Sequence, residues 1–151
     1  MMREKESTEY KIKKKGVRIL VVDDDPAIRE LLREMLSQKK DYAVQVARNG
    51  KEALLKVRKE NFDLVLTDLR MPRMDGIQLL KELRKEDCGM EVIVITGTDY
   101  PDTAAELSDV GAYDYIVKPF HVKEILQKVT SALRNKASGC AEANLANLET
   151  A

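Results

Sequence analysis

The chain has little of what disulfide frameworks, metal–thiolate centres and membrane spans require. Its 151 residues include two cysteines, one histidine and no tryptophan, and aromatic residues make up 5%. Two isolated cysteines are too few for a disulfide framework or a thiolate metal site. No apolar run approaches the roughly 20 residues that cross a bilayer, and the first residues do not resemble a signal peptide. We therefore expect a cytoplasmic protein that does not use a membrane.

An excess of charge of one sign is also missing. There are 26 Lys and Arg residues against 26 Asp and Glu residues, so the formal net charge is zero at pH 7. Proteins that bind nucleic acid usually carry a basic excess or stripe, which makes nucleic acid an unexpected partner for this chain. With 44% hydrophobic residues, the length fits one domain with a packed core.

Composition divides the chain into three segments. Residues 1–15 are polar and end in a lysine cluster, which predicts a disordered basic tail, and a contact of these lysines with an acidic partner stays open. Residues 16–135 carry the pattern of a folded domain. Residues 136–151 are alanine-rich with a weak apolar stripe, and a flexible tail and the start of a linker helix both remain open.

Short β-branched runs alternate with helical patterns along the folded segment. The predicted strands are 17–22, 42–47, 63–67, 91–95 and 113–117, and the last predicted helix spans 121–135. The first helix has an apolar stripe formed by Ile28, Leu31, Leu32, Met35 and Leu36. Five alternating strand–helix pairs predict an α/β fold with a parallel sheet and helices on both faces.

Capping and turn residues mark the ends of several predicted helices. Asp25 precedes a proline and is expected to cap the first helix. Asn49 and Glu52 form a plausible capping pair for the second helix. Pro101 suits the first turn of the fourth helix, and Gly111 is well placed to end it.

Polar side chains follow four of the apolar strands where each strand ends. Asp23 and Asp24 follow the first strand, Asp68 the third, Thr96 the fourth and Lys118 the fifth. Because the carboxyl ends of parallel strands meet at one edge of a sheet, these side chains should gather in one pocket. Three carboxylates without a nearby histidine or thiolate suit a hard, oxygen-loving cation, and partial coordination suits Mg²⁺.

Such a pocket has the groups needed to hold a phosphoryl group during transfer. A carboxylate can act as the nucleophile that forms an acyl phosphate, while Mg²⁺ and an ammonium group offset the charge on the transferring group. Lys118 supplies a compact ammonium charge, and Thr96 supplies a hydroxyl at the same level. The residues alone therefore predict phosphoryl chemistry at this edge of the sheet.

Five motifs follow one another along the folded segment: Val21-Val22-Asp23-Asp24, Leu66-Thr67-Asp68, Met71-Pro72-x-Met74-Asp75-Gly76, Val94-Ile95-Thr96-Gly97 and Lys118-Pro119-Phe120. In this order and spacing they resemble the receiver domain of two-component response regulators, similar to chemotaxis regulators. The resemblance covers residues 16–135. The resemblance implies a flavodoxin-like (βα)5 fold with strand order 2-1-3-4-5.

The resemblance also implies roles for the acidic residues. Asp68 corresponds to the phospho-acceptor, which receives its phosphoryl group from a histidine kinase or a phosphotransfer protein. Asp23 and Asp24 correspond to the metal-binding acids, which with Asp68 hold Mg²⁺, and Arg70 corresponds to the residue whose backbone carbonyl completes the metal sphere. Arg70 also occupies a position that tunes how long the phosphoryl group persists, while Gly97 leaves room for an attacking water.

Three further residues correspond to the parts that respond to phosphorylation. Thr96 resembles the switch hydroxyl, Lys118 the lysine that bonds the phosphoryl group, and Tyr115 the aromatic residue that changes rotamer on activation. The implied output surface lies on the fourth helix and fifth strand, where a downstream protein or a second phosphorylated copy would bind.

Other functions are compatible with parts of the pattern. A phosphatase or phosphotransferase acting on small molecules would use similar groups, although the short loops leave no room for a substrate-binding insertion. A DNA-binding regulator would need a second domain, for which too few residues follow Phe120. The chain is therefore interpreted as a signalling switch rather than an enzyme, either by itself or as the receiver part of a larger regulator.

Overall fold

The structure, a computed structural model, describes residues 16–86, 89–97 and 101–150, with side chains described except at 101–103 and 137–150. The tail predicted for residues 1–15 lies outside the described residues. The strands are β1 Val17–Val22, β2 Tyr42–Ala47, β3 Leu64–Asp68, β4 Glu91–Thr96 and β5 Asp114–Val117. The helices are α1 Pro26–Ser37, α2 Gly50–Lys59, α3 Gly76–Glu86, α4 Pro101–Val110 and α5 Val122–Thr150.

All strand pairs are parallel, and the sheet has the order β2-β1-β3-β4-β5. Every residue of the central strand β3 is buried, as expected for a parallel strand covered on both faces. The alternating strand–helix order and this topology confirm the predicted flavodoxin-like α/β fold. The strand boundaries differ from the predicted ones by one residue at most.

Two apolar clusters cover the two faces of the sheet. In one, Val65 and Val94 pack with Leu79 of α3 and Leu107 of α4. The second contains side chains from the opposite side of the same strands together with residues of α1 and α5: Ile19, Leu66, Ile93, Leu36, Ile125 and Val129. Because neighbouring strand residues point to opposite faces, each strand contributes to both clusters.

The predicted caps of α1 and α2 are confirmed, with one difference. Asp25 Oδ1 accepts the Ala27 N–H at 2.9 Å, and Asn49 Oδ1 accepts the Glu52 N–H at 2.8 Å. The Glu52 carboxylate accepts a hydrogen bond from Arg48 Nε at 3.1 Å. Among the described contacts, Asn49 therefore caps α2 as predicted, whereas the Glu52 side chain pairs with Arg48 and makes no capping bond.

The fourth helix begins and ends as predicted. α4 starts at Pro101, and Gly111 follows its last turn with a φ of +99°, which favours glycine. The Gly111 N–H donates to Ser108 O at 3.0 Å, and the Ala112 N–H donates to Leu107 O at 2.9 Å. These bonds satisfy carbonyl groups at the helix end and turn the chain toward β5.

The prediction that Leu31 belongs to the buried face of α1 is wrong. Its side chain is 46% exposed, whereas Leu32, Met35 and Leu36 are buried. Leu31 lies about 100° around the helix axis from Leu32, at the margin of the apolar stripe. The face of α1 that the sheet covers is therefore narrower than the apolar stripe in its sequence.

The last helix extends beyond its predicted end at residue 135. α5 continues to Thr150, and Lys136 Nζ lies 3.0 Å from Asp63 Oδ1 at the base of β3. The backbone is therefore helical through the segment for which a flexible tail and a linker helix were both open. Among the described residues, no helix combines the length and apolar character needed to cross a bilayer.

Both edge strands have a backbone carbonyl that accepts a hydrogen bond from a lysine. Lys56 of α2 donates from Nζ to Val46 O of β2, and Lys128 of α5 donates from Nζ to Tyr115 O of β5, each at 2.7 Å. In both cases the lysine lies on the helix that follows the edge strand in the chain. The two contacts are thus matched in chemistry and occur at opposite edges of the sheet.

Candidate functional site

Three carboxylates meet at the carboxyl edge of the sheet. One carboxylate oxygen each from Asp23, Asp24 and Asp68 lies within 4.8 Å of the other two. β1 and β3 are hydrogen-bonded neighbours with Val22 opposite Thr67, so the residues that follow them emerge side by side. The structure therefore brings together the three acids that the sequence placed in one pocket.

The backbone and one carboxylate oxygen of Asp23 are held by surrounding groups. Asp23 is 1% exposed, its Oδ1 accepts the Asp25 N–H at 2.9 Å, and its own N–H donates to Ala47 O at 3.2 Å. Arg29 Nη1 donates to Asp23 O at 2.9 Å. The remaining oxygen, Oδ2, is buried and has no hydrogen-bond partner among the described residues. A buried, unpaired carboxylate oxygen in an all-oxygen cluster fits a hard divalent cation such as Mg²⁺.

Burial and mutual repulsion raise the pKa of Asp23 and of Asp68. Burial raises the pKa of Asp23 to about 6, the Asp25 N–H opposes the shift, and the negative charge of Asp68 adds to it. The pKa of Asp68 is also raised by burial, and the ammonium group of Lys118 opposes that shift. A cation at the site would favour the ionised form of Asp23 and Asp68. Without a cation, ionisation of these acids lowers the stability of the folded protein.

Replacing Asp23 with asparagine is expected to stabilise the metal-free protein. A rise from pKa 3.8 to about 6 corresponds to about 2–3 kcal/mol of strain from the ionised form at pH 7. Because the folded-state pKa is raised, the stability that Asp23 contributes is complete below about pH 4 and is lost as pH rises through about 6. Urea denaturation in EDTA from pH 4 to 8 should show this loss in the unmodified protein and a smaller loss in Asp23→Asn, in which the raised pKa of Asp68 still contributes.

The exposed acid Asp41 provides the control for that measurement. Asp41→Asn makes the same change in charge away from the site and should shift stability by less than about 0.5 kcal/mol. Equal stability of Asp23→Asn and the unmodified protein at pH 7 would contradict the assigned strain.

A lysine and a threonine connect the acid cluster to the neighbouring strands. Lys118 Nζ lies 3.3 Å from Asp68 Oδ1, and the Lys118 N–H donates to Thr96 O at 2.8 Å. Thr96 ends β4 and is 1% exposed, while Asp68 is 8% exposed. The two residues predicted to sense the phosphoryl group are therefore joined to each other, and Lys118 contacts the predicted acceptor.

Tyr115 lies on the same face of the sheet as Thr96. In the β4–β5 register Tyr115 is opposite Val94, and alternation along β4 places Val94 and Thr96 on one face. Tyr115 is half-buried and packs against the cluster that contains Val94 and Leu107. The Thr96 side chain and the Tyr115 ring therefore lie on one face of the sheet, where a movement of Thr96 would change the space available to the ring.

Two predicted residues lie on the open side of the site. Arg70 is exposed in the loop two residues after Asp68, and coordination by its backbone carbonyl stays a prediction. Gly97 follows Thr96 and is exposed, and a Cβ atom built on it would have no neighbour within 4 Å among the described residues. In the described part of the chain, the end of β4 is therefore open beside Gly97.

Gly76 is a further residue that positions the predicted acceptor, and the sequence named it only as part of a motif. Its N–H donates to Leu69 O at 2.7 Å, which closes the loop after β3. A Cβ atom on Gly76 would lie 2.7 Å from Asp68 O and 2.9 Å from Leu69 Cα. The α3 N-terminus can therefore approach the Asp68 backbone only because this residue has no side chain.

Gly76→Ala is expected to displace the Asp68 backbone and to lower the free energy of unfolding by about 1–3 kcal/mol, because rigid backbone atoms occupy the Cβ position. Gly97→Ala is the matched control, since its Cβ would enter open space and should leave stability unchanged or slightly higher. Urea denaturation measures both. A loss in Gly97→Ala equal to that in Gly76→Ala would contradict the steric argument.

Comparisons with known proteins agree with this geometry. Residues 19–130 match the family model of the response regulator receiver domain. The response regulator MprA of Mycolicibacterium vanbaalenii is 41% identical over 118 residues, which cover 78% of this chain and 51% of the relative. The chain thus spans about half the length of the curated relatives it matches.

Solved structures show the same similarity. A CheY-like receiver domain protein from Methanospirillum hungatei superposes with a TM-score of 0.77 at 33% identity and covers 82% of this chain and 98% of that one. TrrA from Thermotoga maritima, solved with Mg²⁺ and BeF, gives a TM-score of 0.68 at 41% identity over 77% of this chain and 98% of that one. This chain belongs to the family of response regulator receiver domains, which are signalling domains of two-component systems.

Proposed function

We propose that this chain is a cytoplasmic, phosphorylation-activated switch and that Asp68 is its phospho-acceptor. The observation that carries the proposal is the surroundings of Asp68: a nearly buried carboxylate with an ammonium group at 3.3 Å and two further carboxylates within 4.8 Å. The donor is the phosphohistidine of a sensor histidine kinase or of a phosphotransfer protein.

In the proposed transfer, a carboxylate oxygen of Asp68 attacks the phosphorus atom of the donor. A P–O bond to Asp68 forms as the P–N bond of phosphohistidine breaks, and the imidazole leaves with the bonding electron pair and takes up a proton. Lys118 is close enough to Asp68 to pair with an oxygen of the transferred group. The product is an aspartyl phosphate.

Asp23, Asp24 and Asp68, with the Arg70 backbone carbonyl, are the groups that would hold Mg²⁺. The orphaned Oδ2 of Asp23 and the all-oxygen donor set support this assignment. When bound, the ion offsets negative charge on the transferring group. The chain itself supplies the nucleophile on Asp68 and the opposing ammonium charge on Lys118.

The aspartyl phosphate would be lost slowly by hydrolysis. A water molecule attacks phosphorus, the P–O bond to Asp68 breaks, and inorganic phosphate leaves while the carboxylate is restored. The open space beside Gly97 supports access of this water. Arg70 is exposed nearby in sequence and is the residue we expect to alter the rate of loss.

Phosphorylation would change the output surface through Thr96, Lys118 and Tyr115. Inverting a two-state equilibrium from 1:99 to 99:1 requires about 5.5 kcal/mol, and hydrogen bonds to charged groups contribute about 1.5–3 kcal/mol each. Two or three new contacts to the phosphoryl group are therefore sufficient. Movement of Thr96 would give Tyr115 room to change rotamer and would remodel the surface of α4 and β5.

The α4 and β5 surface would bind a downstream protein or a second phosphorylated copy. A second candidate is that the chain is the receiver part of a larger regulator with an effector domain, for example a DNA-binding one. This is supported by the 51% coverage of MprA and by the helical backbone of α5 up to Thr150. The complete reading frame around this segment distinguishes the two: an effector domain in frame supports the second candidate, and its absence contradicts it.

The proposed chemistry can be tested with Mg²⁺ and acetyl phosphate as a small phosphodonor. Intact-protein mass spectrometry should show the addition of one phosphoryl group, which EDTA prevents. Reduction with borohydride and peptide mapping should locate it in the peptide that contains Asp68. No addition under any donor concentration, or addition that is indifferent to EDTA, would contradict the proposal.

A further inference from the structure

The edge of the sheet at β5 carries a group of contacts that the proposed chemistry does not use. Lys128 Nζ donates to Tyr115 O at 2.7 Å, lies 3.2 Å from Asp114 Oδ2, and stands 5.7 Å from the centroid of the Tyr115 ring. Asp114 Oδ1 in turn accepts the Tyr115 N–H at 2.7 Å. One ammonium group therefore contacts the backbone, the neighbouring carboxylate and the ring of the proposed switch residue.

These contacts join the two faces of the sheet. Ile116 packs with Ile125 and Val129 in the cluster beneath α5, whereas the Tyr115 ring packs against the cluster beneath α3 and α4. Lys128 belongs to α5 but reaches past the edge of β5 to the ring on the other side. A cation placed over an aromatic ring within about 6 Å is attracted to it, and partial burial strengthens the attraction.

We propose that Lys128 is a positioning residue that holds the Tyr115 ring in its resting place and so favours the inactive state. This inference rests on the proposed function, in which Tyr115 changes rotamer on activation. The backbone bond to Tyr115 O does not depend on the rotamer, but the contact with the ring does. Any movement of the ring away from the ammonium group gives up that attraction, so Lys128 opposes activation.

The opposite edge of the sheet provides a matched control. Lys56 makes the same lysine-to-carbonyl bond at the same 2.7 Å distance, and among the described residues it has no recorded contact with an aromatic ring. Lys56→Gln and Lys128→Gln therefore remove the same kind of bond from an edge strand. Only Lys128→Gln also removes a cation from the Tyr115 ring.

The test is ¹⁹F NMR of the full chain labelled with 3-fluorotyrosine, with the Tyr115 signal assigned by its loss in Tyr115→Phe. We expect the resting signal in Lys128→Gln to move toward its position in unmodified protein treated with Mg²⁺ and beryllium fluoride, a phosphoryl mimic. Loss of the ring contact should raise the population of the active rotamer roughly two- to fivefold. Lys128→Arg should restore the unmodified signal, and Lys56→Gln should leave it unchanged.

Asp114→Asn gives a second perturbation of the same group, since it removes the carboxylate partner of Lys128 and keeps an oxygen for the Tyr115 N–H. It should move the signal in the same direction by a smaller amount. A Tyr115 signal that is identical in Lys128→Gln and the unmodified protein would overturn the inference. If beryllium fluoride fails to move the signal in unmodified protein, the proposed switch fails, while a shift in the resting Lys128→Gln signal still shows that Lys128 positions the ring.

Discussion

Asp68→Asn is expected to abolish the addition of a phosphoryl group from acetyl phosphate. An amide oxygen is a much weaker nucleophile than a carboxylate, and asparagine removes the negative charge that faces Lys118 at 3.3 Å. The stoichiometry measured by intact mass should fall from one group per chain to a level at the detection limit. Addition that survives undiminished would show that another residue is the acceptor.

Asp63 supplies the control for this substitution, because it directly precedes β3 and so lies at the opposite end of that strand from Asp68. It contacts Lys136 and the Arg18 N–H at the base of the sheet. Asp63→Asn makes the same change of charge and should keep full phosphoryl incorporation, with an effect confined to stability. A loss of incorporation in both variants would indicate damage to β3 rather than removal of a nucleophile.

Lys118→Met is expected to uncouple occupation of the site from the change at Tyr115. The ammonium group contacts Asp68 directly, and the backbone of the same residue bonds to Thr96. Loss of a charge-assisted contact of about 1.5–3 kcal/mol should lower the equilibrium constant for activation about 10- to 150-fold. The Tyr115 ¹⁹F signal should then remain near its resting position in the presence of Mg²⁺ and beryllium fluoride.

Two further variants separate charge from side-chain length in that experiment. Lys118→Arg keeps a cation and should retain part of the response, whereas Lys123→Met removes an exposed lysine from the first turn of α5 and should leave the response intact. A full beryllium fluoride response in Lys118→Met would refute the role assigned to Lys118.

The sequence predicted most of the fold because local and global signals agree in this chain. β-branched runs mark the strands, and Asp25, Asn49, Pro101 and Gly111 each mark a helix end through local hydrogen bonding or backbone geometry. These signals depend on neighbours within a few residues. They can therefore be read without knowledge of the packing.

The features that the sequence did not reveal depend on contacts between distant segments. Leu31 matched the apolar period of α1, and only packing decides how wide an arc of a helix is covered. Nothing in the sequence assigned a role to Arg29, whose guanidinium donates a hydrogen bond to Asp23 O. Gly76 was named only as part of a motif, and its close approach to the Asp68 backbone is seen only in the structure.

The same distinction applies within the candidate site. Asp23, Asp24, Asp68, Thr96 and Lys118 were predicted as a group because the rule for parallel sheets converts strand ends into neighbours. No comparable rule predicts that Lys128 lies beside Tyr115. This lysine lies in the second turn of α5, and its contact with Tyr115 arises from the packing of this helix along the edge of the sheet.

The lysines at the two edge strands also bear on how copies of this domain can associate. An uncovered edge strand offers unpaired backbone groups to the strand of another molecule, which leads to sheet extension and aggregation. Here Lys56 and Lys128 each occupy a carbonyl at an edge and place a positive charge where an incoming strand would lie. A strand of another molecule would have to displace these lysines from the carbonyls that they occupy, so both edges resist extension of the sheet.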